Sequence, residues 1–382
     1  MPDPRKPSLS PTNDPWLLTP GPLTTSPAVK QAMLHDYGSR DQAFIAMNRR
    51  VRDSLVAIID GQASHVCVPL QGSGTFAVEA MLGTLVPRNG KLLILVNGAY
   101  GHRMAAICHH MDRPFEIAET PENVPVDVAA LDRRLGADPA MTHVALVWCE
   151  TTTGLLNPLS AVADIVAQHG RRLLIDAMSA FAALPLSAKT TAFDAVAASS
   201  NKCLEGAPGM GFVLARPTSL EQAKGNSPSL SLDLHEQWIG LEKTQQWRFT
   251  PPTHVLAAFH QAIAEFEAEG GVAGRGKRYT ANCRTLVDGL RAMGFQTLLP
   301  DHLQAPIIVT VRTPADPRFD FPRLYERVRQ RGYVLYPGKL AATDSFRVGC
   351  IGQIGIEQIE GALAAIRLAL DEMGVVDCAP PK

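Results

Sequence analysis

Between residues 65 and 215, short uninterrupted apolar runs alternate with longer amphipathic ones. The short runs are His65–Leu70, Leu92–Val96, His143–Trp148, Arg172–Asp176, Ala195–Ser199 and Gly211–Ala215, most of them rich in Val, Leu and Ile without polar alternation. Strands covered on both faces have this character, because neither face can carry polar side chains. Between them, Phe76–Leu85, His102–His110, Val126–Leu135 and Ala161–His169 read as helices. Strand–helix repetition predicts an α/β fold, a sheet of mostly parallel strands flanked by helices.

After Ala215 the pattern loosens through Ser227–Asp233 and Trp247–Thr253. Predicted next are a helix at Val255–Glu269 ending on Gly270-Gly271, a helix at Tyr279–Met293 and a strand at Ile307–Arg312. A helix at Leu324–Arg331, strands at Tyr333–Tyr336 and Phe346–Val348, and a helix at Ile356–Met373 complete a smaller C-terminal α/β unit. The expected division is an arm over 1–20, a large domain over 21–262 and a small domain over 263–382. Five prolines in the first fifteen residues, with no apolar core of a signal peptide, give the arm a disordered start.

Composition narrows the classes. A hydrophobic fraction of 46% and a charged fraction of 19% are those of a globular protein. A formal net charge of -1 leaves no footprint for nucleic acid or an anionic membrane surface. No apolar stretch is long enough to cross a bilayer. Cys67, Cys108, Cys149, Cys203, Cys283, Cys350 and Cys378 are scattered, odd in number and form no CxxC pair. That pattern indicates a reducing compartment, a cytoplasmic protein, and no structural zinc.

Sites in an open parallel sheet lie at the carboxyl ends of its strands. Gly72-Ser73-Gly74-Thr75, Glu150-Thr151-Thr152-Thr153-Gly154, Asp176 and Ser199-Ser200-Asn201-Lys202 occupy those positions. The glycine-rich turn leads into a helix, where backbone N–H groups and hydroxyls can hold a phosphate. Gly72-x-Gly74-x-x-Ala77 also satisfies a relaxed dinucleotide fingerprint, yet no acidic residue ends the next strand. An ordinary turn with a serine cap is a third reading. Asp176, at the end of Leu173-Leu174-Ile175, needs a cationic partner if buried. A protonated pyridine nitrogen would be one, and a helix cap or loop ion pair is equally compatible. Burial of Lys202 would lower its pKa, which suits an amine that forms an imine and acts as a base. A surface lysine is the ordinary alternative. Arg347, inside Phe346–Val348, offers a fork for a carboxylate or phosphonate, or else for a structural ion pair.

Taken in order, these segments resemble the class V aminotransferases of the pyridoxal-phosphate (PLP) fold type I. The similarity extends from Trp16 onward through Leu17–Ser26, Leu70–Thr75, Asn97–Gly101, Ser229–Asp233, Trp247–Thr250 and Tyr336–Lys339. Several of these segments most resemble those of members that transaminate 2-aminoethylphosphonate with pyruvate, a step of phosphonate degradation. The resemblance implies a large domain with a seven-stranded sheet and pyridoxal 5'-phosphate carried on Lys202 as a Schiff base. It implies that Asp176 holds the pyridine nitrogen and that Ser73, Gly74, Thr75 and Ser199 or Ser200 grip the phosphate. Thr152 would stand near the cofactor hydroxyl and Arg347 would bind the acidic group of each substrate, with the Thr19–Pro22 turn at the same mouth. Thr250 would reach the neighbouring subunit's phosphate, so the active unit would be a homodimer with its site at the subunit interface. Where the family often has His-Ser, this chain has Trp148-Cys149. An alanine– or serine–glyoxylate aminotransferase is the alternative within the family. A cysteine-dependent lyase fits less well, since Cys203 and Cys350 have the setting of buried thiols. A non-catalytic regulator would need a basic DNA-binding helix pair, and none precedes residue 65.

Overall fold

The computed structural model describes residues 7–340 and 343–381. Seven strands build the main sheet: β1 (Val66–Gln71), β2 (Lys91–Val96), β3 (Phe115–Glu119), β4 (Met141–Val147), β5 (Arg172–Asp176), β6 (Ala195–Ser199) and β7 (Met210–Ala215). Their order is β1-β7-β6-β5-β4-β2-β3. Only β7 runs against its neighbours, and every other pairing is parallel. β1, β2, β4, β5 and β6 therefore all end on one edge.

Successive residues of these strands feed two cores. Leu93, Val144, Leu173, Ile175 and Phe212 pack on one face, while Leu92, Ile94, Ala145, Leu174 and Val213 pack on the other. A fully buried Leu, Ile or Val contributes about 1.5–3 kcal/mol, so neither face tolerates polar alternation. β3 is the exception. It lies at the sheet edge, half-buried, and reads Phe-Glu-Ile-Ala-Glu, a pattern the apolar-run criterion passes over. Helices Gln42–Ile58 and Leu234–Thr244 also lie outside the sequence expectation. The first buries only Phe44, Val51, Leu55 and a few neighbours along a face interrupted by arginines.

The smaller unit has a three-stranded antiparallel sheet of β8 (Ile308–Arg312), β9 (Tyr336–Pro337) and β10 (Ser345–Gly349), in the order β8-β10-β9. Helices Gly271–Ala292, Phe321–Gln330 and Ile356–Met373 accompany it. The long helix Gly271–Ala292 passes from one core to the next, since Tyr279 packs in a main-sheet core and Cys283 in that of the small unit. The expected strand Tyr333–Tyr336 is divided. Tyr336 pairs within the small sheet, whereas Tyr333–Val334 pairs in parallel with Trp16–Leu17. Residues 1–6 of the arm lie outside the described residues, and the rest is docked rather than free. Ser8 N–H donates to Arg331 O at 3.0 Å, and Trp16 and Leu18 are buried in the small unit's core. Among the described residues, no helix is long and apolar enough to cross a membrane.

Candidate active site

The common carboxyl edge of the sheet holds a cavity of about 200 Å³. After β1, Gly72 adopts φ +119°, and a Cβ there would stand 2.5 Å from the Phe76 ring. That left-handed residue turns the chain into helix Gly74–Leu85. Ser73 is the cap residue but makes no side-chain capping bond, so its hydroxyl is not spent on the helix. Ser73, Gly74 and Thr75 all line the cavity.

After β2, helix Ala99–His110 starts beside buried Glu150. A Cβ on Gly98 would stand 2.4 Å from Glu150 Cδ, so only glycine permits this approach. Glu150 accepts from Thr152 Oγ1 at 2.7 Å, Thr152 N–H at 3.2 Å and Tyr100 N–H at 3.3 Å. Tyr100 and Arg103, three residues apart and hence on one helix face, both line the cavity. The guanidinium of Arg103 lies 4.7 Å from the Tyr100 ring centroid and donates to Thr75 Oγ1 at 3.1 Å.

Asp176 closes β5 and is 4% exposed. Burial, reinforced by the Glu150 charge, pushes its carboxyl up to about 6, against the Met178 N–H bond and the nearby Lys202 and Arg103 charges. Lys202 follows β6 and shares the cavity with Asp176 and Ser199. Desolvation lowers its pKa, and Nζ donates to Pro20 O at 2.5 Å. Gly21 makes that approach possible, as a Cβ on it would stand 2.9 Å from Lys202 Cδ. Beyond Lys202, buried Glu205 accepts from Tyr279 Oη at 2.5 Å and Arg278 Nη2 at 2.8 Å, fixing the lysine's turn to the helix that joins the two units.

Arg347, on β10, is 3% exposed. Nε donates to Pro337 O at 3.0 Å and Nη1 to Thr151 O at 3.1 Å, and the guanidinium lies 4.8 Å from the Tyr336 ring centroid. It joins the site through Thr151, which lines the cavity.

A buried carboxylate, a desolvated amine and an unspent hydroxyl turn thus face one space. A family model described as "Aminotransferase class-V" matches residues 29–316. The chain belongs to the class V aminotransferases. A 2-aminoethylphosphonate–pyruvate transaminase of Pseudomonas putida is 56% identical over 366 residues, covering 96% of this chain and 100% of the relative. One from Pseudomonas aeruginosa is 54% identical over 363 residues, covering 95% and 98%. Pyridoxamine-pyruvate aminotransferase from Mesorhizobium loti superposes with a TM-score of 0.86 at 24% identity, covering 96% of this chain and 94% of that one. Alanine–glyoxylate aminotransferase from Nostoc gives 0.86 at 23%, covering 95% and 97%. These two structures establish the shared fold.

The cofactor of this aminotransferase class is pyridoxal 5'-phosphate, and the residues present fit it. An aldehyde requires an amine held short of full protonation, a pyridinium requires a buried carboxylate, and a phosphate requires donors at a helix start. Of the expected residues, Ser73, Gly74, Thr75, Asp176, Ser199 and Lys202 come together. Ser200 does not join them, because its hydroxyl donates to Ala207 O at 2.6 Å and Met210 O at 3.1 Å. Thr151, rather than Thr152, lines the cavity, since Thr152 turns inward onto Glu150. Thr250 lies apart, in a second hollow with Phe76 and Trp247. Arg103 was absent from the sequence expectation. The sequence marks it only by a three-residue spacing from Tyr100 in the helix after β2, which solvent-facing arginines share. All seven cysteines are buried, and burial pushes the Cys203 thiol up to about 12, unlike a nucleophile.

Proposed function

We propose that this aminotransferase moves the amino group of 2-aminoethylphosphonate to pyruvate, giving phosphonoacetaldehyde and L-alanine in phosphonate degradation. The observation that carries the substrate assignment is end-to-end similarity at 54–56% to curated transaminases of that name. A solved alanine–glyoxylate aminotransferase stands at 23% identity, against 54–56% for these transaminases.

Bound pyridoxal phosphate supplies the electron sink that makes the carbon–hydrogen bond beside the amine acidic. Lys202 would hold the cofactor and then carry the proton between that carbon and the cofactor, and its lowered pKa supports such a base. Asp176 would keep the ring nitrogen protonated, a pairing that offsets the cost of burying its carboxylate. Ser73, Gly74, Thr75 and Ser199 would orient the phosphate, and Arg347 would take the phosphonate in one half-reaction and the carboxylate in the other.

The working unit would be a cytoplasmic homodimer, with Thr250 serving the partner's site. Support comes from the hollow beside Thr250, where Phe76 and Phe249 are 48% and 44% exposed. The test is a half-reaction without pyruvate. 2-Aminoethylphosphonate should convert the cofactor's aldehyde-form absorbance to that of the amine form, and serine should do so poorly. The reverse ranking would move the protein to the glyoxylate group.

A further inference from the structure

The turn expected to hold the phosphate is short of positive charge. Ser73, Gly74 and Thr75 offer hydroxyls and the start of a helix, equivalent to about half a charge. A phosphate monoester brings roughly 1.5 to 2 negative charges at neutral pH. Lys202 and Arg347 have other tasks in the proposed reaction, and Asp176 adds a negative charge to the same cavity.

Arg103 is the cation beside that turn. It lines the cavity, and its Nη1 donates to Thr75 Oγ1 at 3.1 Å. Tyr100 lies 4.7 Å from its guanidinium carbon, so the planar group is held against a ring. Both contacts orient the guanidinium and neither neutralises it. Among the described residues, Arg103 makes no ion pair with a carboxylate. A partly buried guanidinium, held beside hydroxyls and lacking a carboxylate partner, is suited to a phosphate, which accepts its paired N–H donors in one plane.

We propose that Arg103 is a cofactor-binding residue, supplying to the phosphate the charge that the Ser73–Thr75 turn lacks. Thr75 and Tyr100 fix the direction of its fork. The assignment rests on pyridoxal phosphate being the cofactor.

The test compares two ligands differing only in the phosphate. The full-length cofactor-free protein is titrated with pyridoxal 5'-phosphate and with pyridoxal, and binding is read by quenching of protein fluorescence. Arg103→Met should reduce the preference for the phosphorylated ligand by ~10–100-fold, leave pyridoxal affinity within about twofold, and Arg103→Lys should restore part of the preference. Phosphorus NMR of the loaded protein gives a second reading. The bound phosphate should show no titration across neutral pH in the wild type and should titrate in Arg103→Met. Should that variant not fold, Arg103→Gln gives the same comparison. Equal weakening of both ligands, or an unchanged preference, overturns the assignment. A wild-type protein that binds neither ligand would instead end the cofactor reading on which it rests.

Discussion

Arg347→Lys keeps a positive charge where the substrate anion is proposed to bind and removes the planar fork. The guanidinium is nearly fully buried, with Nε on Pro337 O, Nη1 on Thr151 O and one face toward Tyr336. Its plane is therefore set before substrate arrives, and burial already disfavours its charge. An ammonium cannot satisfy both carbonyls and also give a two-point contact to an anion. Charge-assisted hydrogen bonds contribute about 1.5–3 kcal/mol each, and lysine recovers one of two, so kcat/KM should fall ~10–150-fold. The assay is single-turnover kinetics with 2-aminoethylphosphonate, L-alanine and n-propylamine, the last of similar length and lacking an anion. The first two rates should fall together while the third, slow to begin with, stays put. A loss below about threefold with the phosphonate, or an equal loss with propylamine, would refute a direct role in anion binding.

Four further outcomes follow from the structure. The Asp176 carboxyl titrates at about 6 in the cofactor-free protein, so pairing with a ring cation requires loss of a proton below that pH. Cofactor affinity should fall about tenfold per pH unit below 6 and level off above it. The sign for stability is opposite: because the folded pKa lies above the unfolded value, the cofactor-free protein should lose stability as pH rises from about 4 to about 6. Urea titrations of wild type and Asp176→Asn across that window check this, and parallel curves would count against it. Gly98→Ala should lower stability by about 1–3 kcal/mol, since its Cβ would meet Glu150, itself held by Thr152 and Tyr100. An unchanged melting curve would contradict this. Phe249→Asp should convert a dimer to monomers in sedimentation and reduce turnover with it, whereas an undiminished dimer would remove the hollow beside Thr250 from the interface.

The strand ends were legible because burial on both faces leaves a strand no freedom in composition. Once Leu173–Ile175 and Ala195–Ala198 read as buried strands, Asp176 and Lys202 had to lie on the same edge. β3 was not legible, because an edge strand with one open face carries glutamates. Arg103 was hidden for another reason. A lone arginine in a helix has a solvent position as its ordinary explanation, and only the approach of Thr75 and Tyr100 distinguishes it. Which of Thr151 and Thr152 faces the cavity depends on the direction of a tight turn, which composition does not encode.

The Glu150–Gly154 segment shows what a linear reading leaves out. In the sequence it is a motif at a strand end, with Thr152 assigned to the cofactor. In the fold it is also the joint between the two units. Thr310 Oγ1 of β8 donates to Thr152 O at 3.1 Å, Arg347 of β10 holds Thr151 O, and Ala305 N–H donates to Gly154 O at 2.9 Å. Gly154 has φ +85°, and a Cβ on it would stand 2.2 Å from Ile308 O, so the glycine is required by contact with the small unit. The same five residues thus line the cavity through Thr151, hold Tyr100 through Glu150 and position Arg347 from the other unit. A substrate anion held by Arg347, as proposed, would therefore rest against a segment already fastened to the wall that carries Tyr100. Arg347 and that wall are set by one short loop, and a change in that loop would disturb both.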